Sequence, residues 1–555
     1  MKPVLLRGAS FLTMDEARPR AEALVLRGEG IVYAGAEGEA RALAGAEAEI
    51  VDLGGRTVVP GFNDNHLHAI ILGDHVTAPD LGGLSEGEIV DLLRERWKDA
   101  PPGRILYAFN WDYPTCPNPR KELLDGAFPR NPVILSQFSG HAQWLNSESL
   151  AALGIRKGGT DPGRGQVLRD PDGEPTGVVR DLGDTGLSKK RFATIFFDRA
   201  QREERLDIAL ERFRREGITS VQDNTWFPQP LASYGRYARR GALTARFSCW
   251  SLGRQGWTTP AMRAAFSVGG MFGLLPRDWI RPGPVKYFLD GAFSTRTACL
   301  CEPYADAPHS TYDAAQAVSS REGDASESSS RGMCGDISEP LAELEYLARR
   351  GLQGAFHAIG DRAVQIFLDA FEKVASRHPR LAGQRIRIEH AQLVRPEDVG
   401  RIRDLGIVVS AQPSALGSPG KDVKLLGRER ALRAYPYRSF LDAGVHLSFG
   451  SDIPGETTSD PLLSIHFAVN REGPEAISPL EAIRCYTRGS AYAEFMEDRK
   501  GALEPGMLAD FVVLSADPTA VPPGTIREIA VEQTWVGGRR VYAKEGPTGR
   551  KTGAG

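Results

Sequence analysis

Pro60-Gly-Phe-Asn-Asp-Asn-His-Leu-His-Ala69 continues an apolar run, Val58-Val59, and places two histidines one residue apart. On a strand, residues i and i+2 share a face, so His66 and His68 aim at one point. Taken alone, the pair reads as two polar side chains leaving a sheet for solvent. A bound metal ion is the alternative, and the segments downstream decide between them. There, short apolar strands alternate with amphipathic helices, the pattern of parallel βα units. ITSVQDN follows the helical QREERLDIALERFRREG, and ARFSCWSLG, GPVKYFLDG, GAFHAIGD, RIRIEHAQ, IVVSAQPS and HLSFGSD come after it. With VVPGFNDNH these are eight candidate strands, which predicts an α/β protein built on a (β/α)8 TIM barrel over residues 60–496.

The two ends of the chain read differently. Residues 1–59 alternate and turn at glycines, as in ALVLRGEGIVYAG, and 497–545 behave alike, with a hairpin at Gly537-Gly538. Together they predict one composite β-sandwich domain formed from both termini. About 72–200, a stretch several times longer than a βα unit follows the first barrel strand and reads as an insertion subdomain over the barrel mouth. The Ser- and Gly-rich 316–333 is either a lid or a plain surface loop, and 546–555 reads as a disordered tail.

Bulk properties exclude several classes. A length of 555 residues with 41% hydrophobic and 25% charged residues describes a globular protein of two or three units. A net charge of -3 points to neither nucleic acid nor membrane as partner. No signal peptide or membrane span is apparent, and the six cysteines include no CxxC pair, so a reducing cytoplasm is the expected location. Cys299 and Cys301 read as two packed free thiols. There is no GxSxG elbow, P-loop or dinucleotide fingerprint.

In such a barrel the active site lies at the C-terminal ends of the strands. Those ends carry His66 and His68, then Lys286, His357, His390 and Asp452. A lone histidine in an apolar strand is more often a hydrogen-bonded core residue, and Asp452 could simply cap a helix. Six such coincidences at one barrel mouth are far less plausible than a metal site.

PGFNDNHLH, the lysine of VKYFLDG, HAIGD, RIEHAQL and FGSD match in order and strand placement the amidohydrolase superfamily. The chain more closely resembles family 3, the YtcJ-like branch that includes N-substituted formamide deformylases. GHAQWLNS, GITSVQD, DGAFSTRTA and LEPGMLADFVVL extend the resemblance over nearly the whole chain. It implies that His66, His68 and Asp452 hold one divalent metal ion and that His357 and His390 hold a second. Lys286 would bridge the two as a carbamate formed from CO2, although some relatives keep one metal and need none. Zinc suits this donor set best. The implied activity is hydrolysis of a non-peptide C–N bond, in an amide, N-formyl or N-acyl amine, through a metal-activated hydroxide, with Asp452 moving the proton.

Second-layer candidates are Asp64, Asp361 and Glu389, since metal-bound histidines donate their other N–H to an acceptor. Substrate contacts are expected from Trp111, Asp112, His141, Trp144, Phe293, Thr295 and Gln412, though such aromatics are more often core than pocket. The partner implied is a small amide-type molecule. A homodimer is an assembly such barrels often form, with no residue here that speaks for it. A mononuclear deaminase of the same superfamily is the rival enzyme, and HAIGD lacks the glutamate shuttle expected of it. A non-catalytic scaffold would be expected to have lost some of the six positions, all of which are filled.

Overall fold

β1 (Val4–Leu12) pairs antiparallel with β2 (Arg20–Ala21) and β3 (Ala23–Arg27), and β3 with β4 (Gly30–Gly35). The long β5 (Glu49–Pro60) runs parallel to β1. Period-two alternation sorts the side chains. Leu5, Ala23 and Val25 pack on Ala40 and Ala44 of the helix Glu37–Ala44, while Leu6, Leu24 and Leu26 join the main core. The computed structural model describes residues 2–161, 166–181, 195–225, 227–253, 275–306 and 331–545, without the side chain of Pro419. The tail 546–555 and residues 316–330 of the expected lid lie outside the described residues.

β6 (Phe62–Leu67) follows β5 after a single residue and opens the barrel. The insertion comes next, with β7 (Leu106–Trp111), β8 (Val133–Gln137), β9 (Ala142–Leu145), β10 (Gln166–Arg169) and β11 (Pro175–Arg180) in a sheet of order β10-β11-β9-β8-β7. The barrel resumes with β12 (Ile218–Asp223), β13 (Arg246–Leu252), β14 (Ile280–Phe288), β15 (Gly354–Ala358), β16 (Arg387–His390), β17 (Val408–Ala411) and β18 (Leu447–Phe449). All its pairings are parallel, from β6 through β12 to β18, as the alternating pattern predicts. The seam between β18 and β6 closes through Asp452 N–H donating to the His66 carbonyl (2.6 Å) and Asn65 Nδ2 donating to Ser448 Oγ (2.5 Å). A Cβ on Gly450 would stand 2.5 Å from Asn65 Oδ1 and 2.6 Å from His66 N, so only glycine admits this approach.

β19 (Phe511–Leu514), β20 (Val531–Val536) and β21 (Arg539–Ala543) return to the first sheet, where β19 pairs antiparallel with β5. Both ends of the chain thus form one eight-stranded sheet. The β20–β21 turn carries Gly537 and Gly538 at φ 56° and 67°, the left-handed pair that a two-residue hairpin demands. Arg246 joins this sheet to the barrel: its Nε donates to Asp510 Oδ2 at 2.6 Å and its Nη2 to Oδ1 at 2.9 Å, both side chains being buried. Breaking a buried ion pair from one side costs about 3–5 kcal/mol. Arg246→Met is therefore expected to lower the unfolding free energy by about that amount in urea titrations, and a loss within the error of the titration would mean the pair holds nothing together.

One expectation about the cysteines is overturned. Cys299 is disulfide-bonded to Cys334, 35 residues on, and only Cys301 of the close pair is a free thiol. Local spacing cannot reveal a partner that the fold brings to a Cα separation of 4.9 Å. No helix among the described residues is long and apolar enough to cross a membrane.

Candidate metal centre

His66 lies on β6, and His68 just beyond it stands at the start of the helix Ala69–Thr77. Both Nε2 atoms reach Asp452 Oδ1, at 3.5 and 3.3 Å. His390 ends β16 with φ 77°, and Asp452 sits just past β18 with φ 54°. These left-handed residues turn the strand ends so that the side chains converge rather than alternate. Ligand atoms of His66, His390 and Asp452 lie within 4.8 Å of one another. His357, on β15, has its ring centroid 4.4 Å from that of His390, and Lys286 Nζ, from β14, lies 3.4 Å from His66 Nε2.

Each imidazole has one nitrogen engaged by an oxygen. His66 Nδ1 is 2.7 Å from Glu389 Oε2, and His390 Nδ1 is 2.7 Å from Gln412 Oε1. His68 Nδ1 is 3.2 Å from the Asn224 carbonyl, and His357 Nε2 is 3.0 Å from the Gly291 carbonyl. In a neutral ring this places the proton on the engaged nitrogen and leaves the other as a lone pair. Burial drives His66, His357 and His390 well below the usual imidazole pKa, and the Lys286 charge adds to it. Burial likewise brings Lys286 down to about 8. Burial alone would raise Asp452, but His66, His68 and Lys286 outweigh it and hold the carboxyl below its ordinary range. Neutral imidazoles facing an ionised carboxylate are the protonation states metal ligation requires, so these residues fit a divalent ion.

Glu389 is anchored in turn. Arg387 Nε donates to its Oε1 at 2.8 Å and Nη2 to Oε2 at 3.2 Å, with all four atoms buried. The same guanidinium donates to Gln222 Oε1 (2.5 Å), the Asn65 carbonyl (2.9 Å) and Ser410 Oγ (2.9 Å), and lies 4.7 Å from the Trp250 ring centroid. Residues 387 and 389 share a face of β16, which brings the arginine beneath the glutamate.

Other expected site residues fall elsewhere. Trp111 and Trp144 are fully buried in the core of the insertion, where Trp111 Nε1 donates to the Leu135 carbonyl at 2.8 Å. Phe293 is part of the main core, and buried Thr295 bonds to the Ala292 carbonyl (3.2 Å) and to Thr297 Oγ1 (2.7 Å). Gln412 is spent on His390. Asp64 accepts from the backbone N–H of His66 (3.2 Å) and Ser451 (2.9 Å), and burial raises its pKa to about 7. Asp361 accepts from the backbone of Cys301 (2.8 Å) and Arg362 (3.0 Å). Neither aspartate meets an imidazole, because the acceptors come from neighbouring strands and loops instead. Asp112 accepts from Gln137 Nε2 at 2.9 Å and pairs with Lys421 at 3.4 Å. His141 reaches the site, its ring centroid 5.3 Å from that of His357.

Sequence reasoning missed Asp290. It stands 3.5 Å from His357 Nε2 and accepts from the backbone N–H groups of Ile359, Gly360 and Cys299. Its place just after β14, two residues past Phe288, was the available clue. Arg387, which anchors Glu389, and Asp181, which lies 2.5 Å from His141 Nδ1, were missed as well.

Comparison with known proteins agrees with this placement. Residues 49–542 match the model of a family described as the amidohydrolase family. YtcJ of Bacillus subtilis is 31% identical over 97% of this chain and 99% of its own length. An N-substituted formamide deformylase of Arthrobacter pascens is 29% identical over 98% and 99%. The crystal structure of an uncharacterized metal-dependent hydrolase from Pyrococcus furiosus superposes with a TM-score of 0.68 at 30% identity, covering 93% of this chain and 100% of that one. With strand order, converging histidines and a match over most of its length in accord, the chain belongs to the amidohydrolase family.

Proposed function

We propose that this protein is a metal-dependent hydrolase of a C–N bond outside peptides, with an N-formyl or N-acyl amine as substrate. The observation that carries the reading is the convergence of His66, His390 and Asp452 within 4.8 Å at the C-terminal end of the barrel, in the protonation states of ligands. The bond type draws support from the formamide deformylase relative. His66, His68 and Asp452 would hold one divalent ion, zinc by the chemistry of the donors. His357 and His390 would hold a second, with Lys286 carbamylated between them. The buried Lys286 amine, close to His66, suits that modification better than a retained ammonium would. Such an ion supplies Lewis acidity toward a carbonyl oxygen and makes water acidic enough to attack at neutral pH.

The chain's own groups do the rest. Asp452 is ionised, partly exposed and flanked by His66 and His68, so it can take a proton and deliver it to the leaving nitrogen. Glu389, Asn224, Gly291 and Gln412 keep the imidazoles in their tautomers. The rival deaminase reading needs a glutamate shuttle following His357, and the acid that stands there is Asp361, held by the backbone of Cys301 and Arg362.

Elemental analysis of protein purified without chelator tests the centre. Close to two equivalents of divalent metal are expected, lost on dialysis against a strong chelator together with activity toward N-formyl and N-acyl amines. One equivalent would leave Lys286 an ordinary lysine and move His357 and His390 toward substrate. No metal after reconstitution would end the reading.

A further inference from the structure

We infer that Asp223 is the positioning residue of His68: from the neighbouring strand β12 its carboxylate clamps the backbone N–H of Ala69, the residue after that ligand, and so holds the imidazole where a metal ion can use it. The inference rests on the metal-dependent reading and deepens it, adding a residue outside the six ligand positions.

His68 is the N-cap of the helix Ala69–Thr77, yet its side chain makes no capping hydrogen bond, and the first turn holds no acidic residue. A helix start leaves backbone N–H groups without partners, and an N-cap side chain usually takes one of them. The His68 ring cannot serve there, because its Nε2 faces Asp452 and its Nδ1 the Asn224 carbonyl. Asp223 Oδ1 supplies the acceptor instead, 2.8 Å from Ala69 N. Its Oδ2 accepts from the Tyr234 hydroxyl at 2.7 Å and from Thr225 Oγ1 at 2.8 Å, which fixes the carboxylate from behind. A negative group also suits the positive end of the helix dipole.

The clamp stands where the sheet gives least support. Val221 pairs with Asp64 and Asp223 with Leu67, so β6 carries one residue more than β12 across the stretch that holds His66. Beyond that bulge the ladder ends, with Asn224 N–H donating to the Leu67 carbonyl at 2.8 Å. His68 itself leaves the sheet, and its N–H donates to the Ile453 carbonyl at 3.0 Å. Asp223 and Asn224 therefore grip His68 from two sides, one through the helix start and one through the ring. Period-two alternation makes this possible. Gln222 faces the barrel interior and meets Arg387, whereas Asp223 points outward to Tyr234 on the helix Gln229–Arg239. Asp223 is 1% exposed and Ala69 is sealed as well, so water does not replace either partner when the other is lost.

Zinc affinity, read by competition with a chromophoric chelator, tests this apart from activity. Asp223→Ala should weaken one bound ion by about 10- to 100-fold, the usual effect of losing support for a ligand. Asp223→Asn keeps an acceptor oxygen for Ala69 and should restore most of that loss. Tyr234→Phe is the structural control. It takes a buried hydrogen bond from the same carboxylate but leaves Ala69 held, so it should lower stability to urea while zinc affinity stays within about threefold of the wild type. Should Asp223→Ala fail to fold, Ala69→Pro removes the same bond from the other side, and proline suits a first helical position. The same loss of zinc affinity is expected of it. Unchanged affinity in Asp223→Ala or Ala69→Pro, or an equal loss in Tyr234→Phe, would make Asp223 a brace of the fold and overturn the inference. Wild-type protein that takes up no zinc would instead end the metal reading, and the inference with it.

Discussion

Asp452→Asn is expected to lower kcat by about 10²–10⁴-fold, the usual contribution of a positioned proton-transfer group, while the fold is kept. The residue adopts φ 54°, a conformation that asparagine tolerates better than any other substitute except glycine. Its backbone N–H still donates to the His66 carbonyl, so the barrel seam closes as before. What disappears is the negative charge between His66 and His68 and the ability to carry a proton. Some metal affinity goes with that charge, so turnover is to be measured at saturating metal, with the metal content of the same sample determined. A near-normal kcat with full metal would remove Asp452 from proton transfer and leave it a ligand only.

Arg387→Met should be the most destabilising single change in the barrel interior. The guanidinium is fully buried and feeds Glu389, Gln222, Asn65 and Ser410 at once. Without it, Glu389 keeps His66 as its hydrogen-bond partner and loses the cation bound directly to it, and breaking a buried ion pair from one side costs about 3–5 kcal/mol. The damage reaches the metal, because Glu389 fixes the His66 tautomer, and losing such support typically weakens affinity about 10- to 100-fold. Chemical denaturation and zinc titration of the variant read the two effects separately. Adding Glu389→Gln to Arg387→Met should recover part of the stability, since the orphaned charge is then gone. If the double variant is no more stable than the single one, the arginine acts through packing on Trp250 rather than through charge.

The barrel was legible because its information is local and periodic. A buried parallel strand must be short and apolar and must be followed by an amphipathic helix, and eight such units stood in order from VVPGFNDNH to HLSFGSD. The gathering of His66, His68, Lys286, His357, His390 and Asp452 was legible for a related reason: polar residues interrupt apolar strands rarely, and in a barrel all strand ends meet at one mouth. What could not be read depends on which strands become neighbours. Glu389 reaches His66 across the barrel, whereas Asp64, two residues from His66, is spent on backbone N–H groups. Trp111 and Trp144 sit in family-like motifs, but a motif does not say which face of a sheet is covered, and theirs is the inner one. The Cys299–Cys334 bond and the His141–Asp181 pair likewise join residues that only folding brings together.

The shared sheet of the two termini has a consequence for how the protein is made. β5 is synthesised early, yet one of its two edges is covered by β19, whose first residue is Phe511. At about 5–20 residues per second, some 450 residues of intervening chain take roughly 20 to 90 seconds to emerge from a ribosome. Throughout that interval Val58 and Val59 belong to an open strand edge, the kind of surface that pairs with other chains. The barrel can assemble behind it, but that edge is sealed only when β19 arrives.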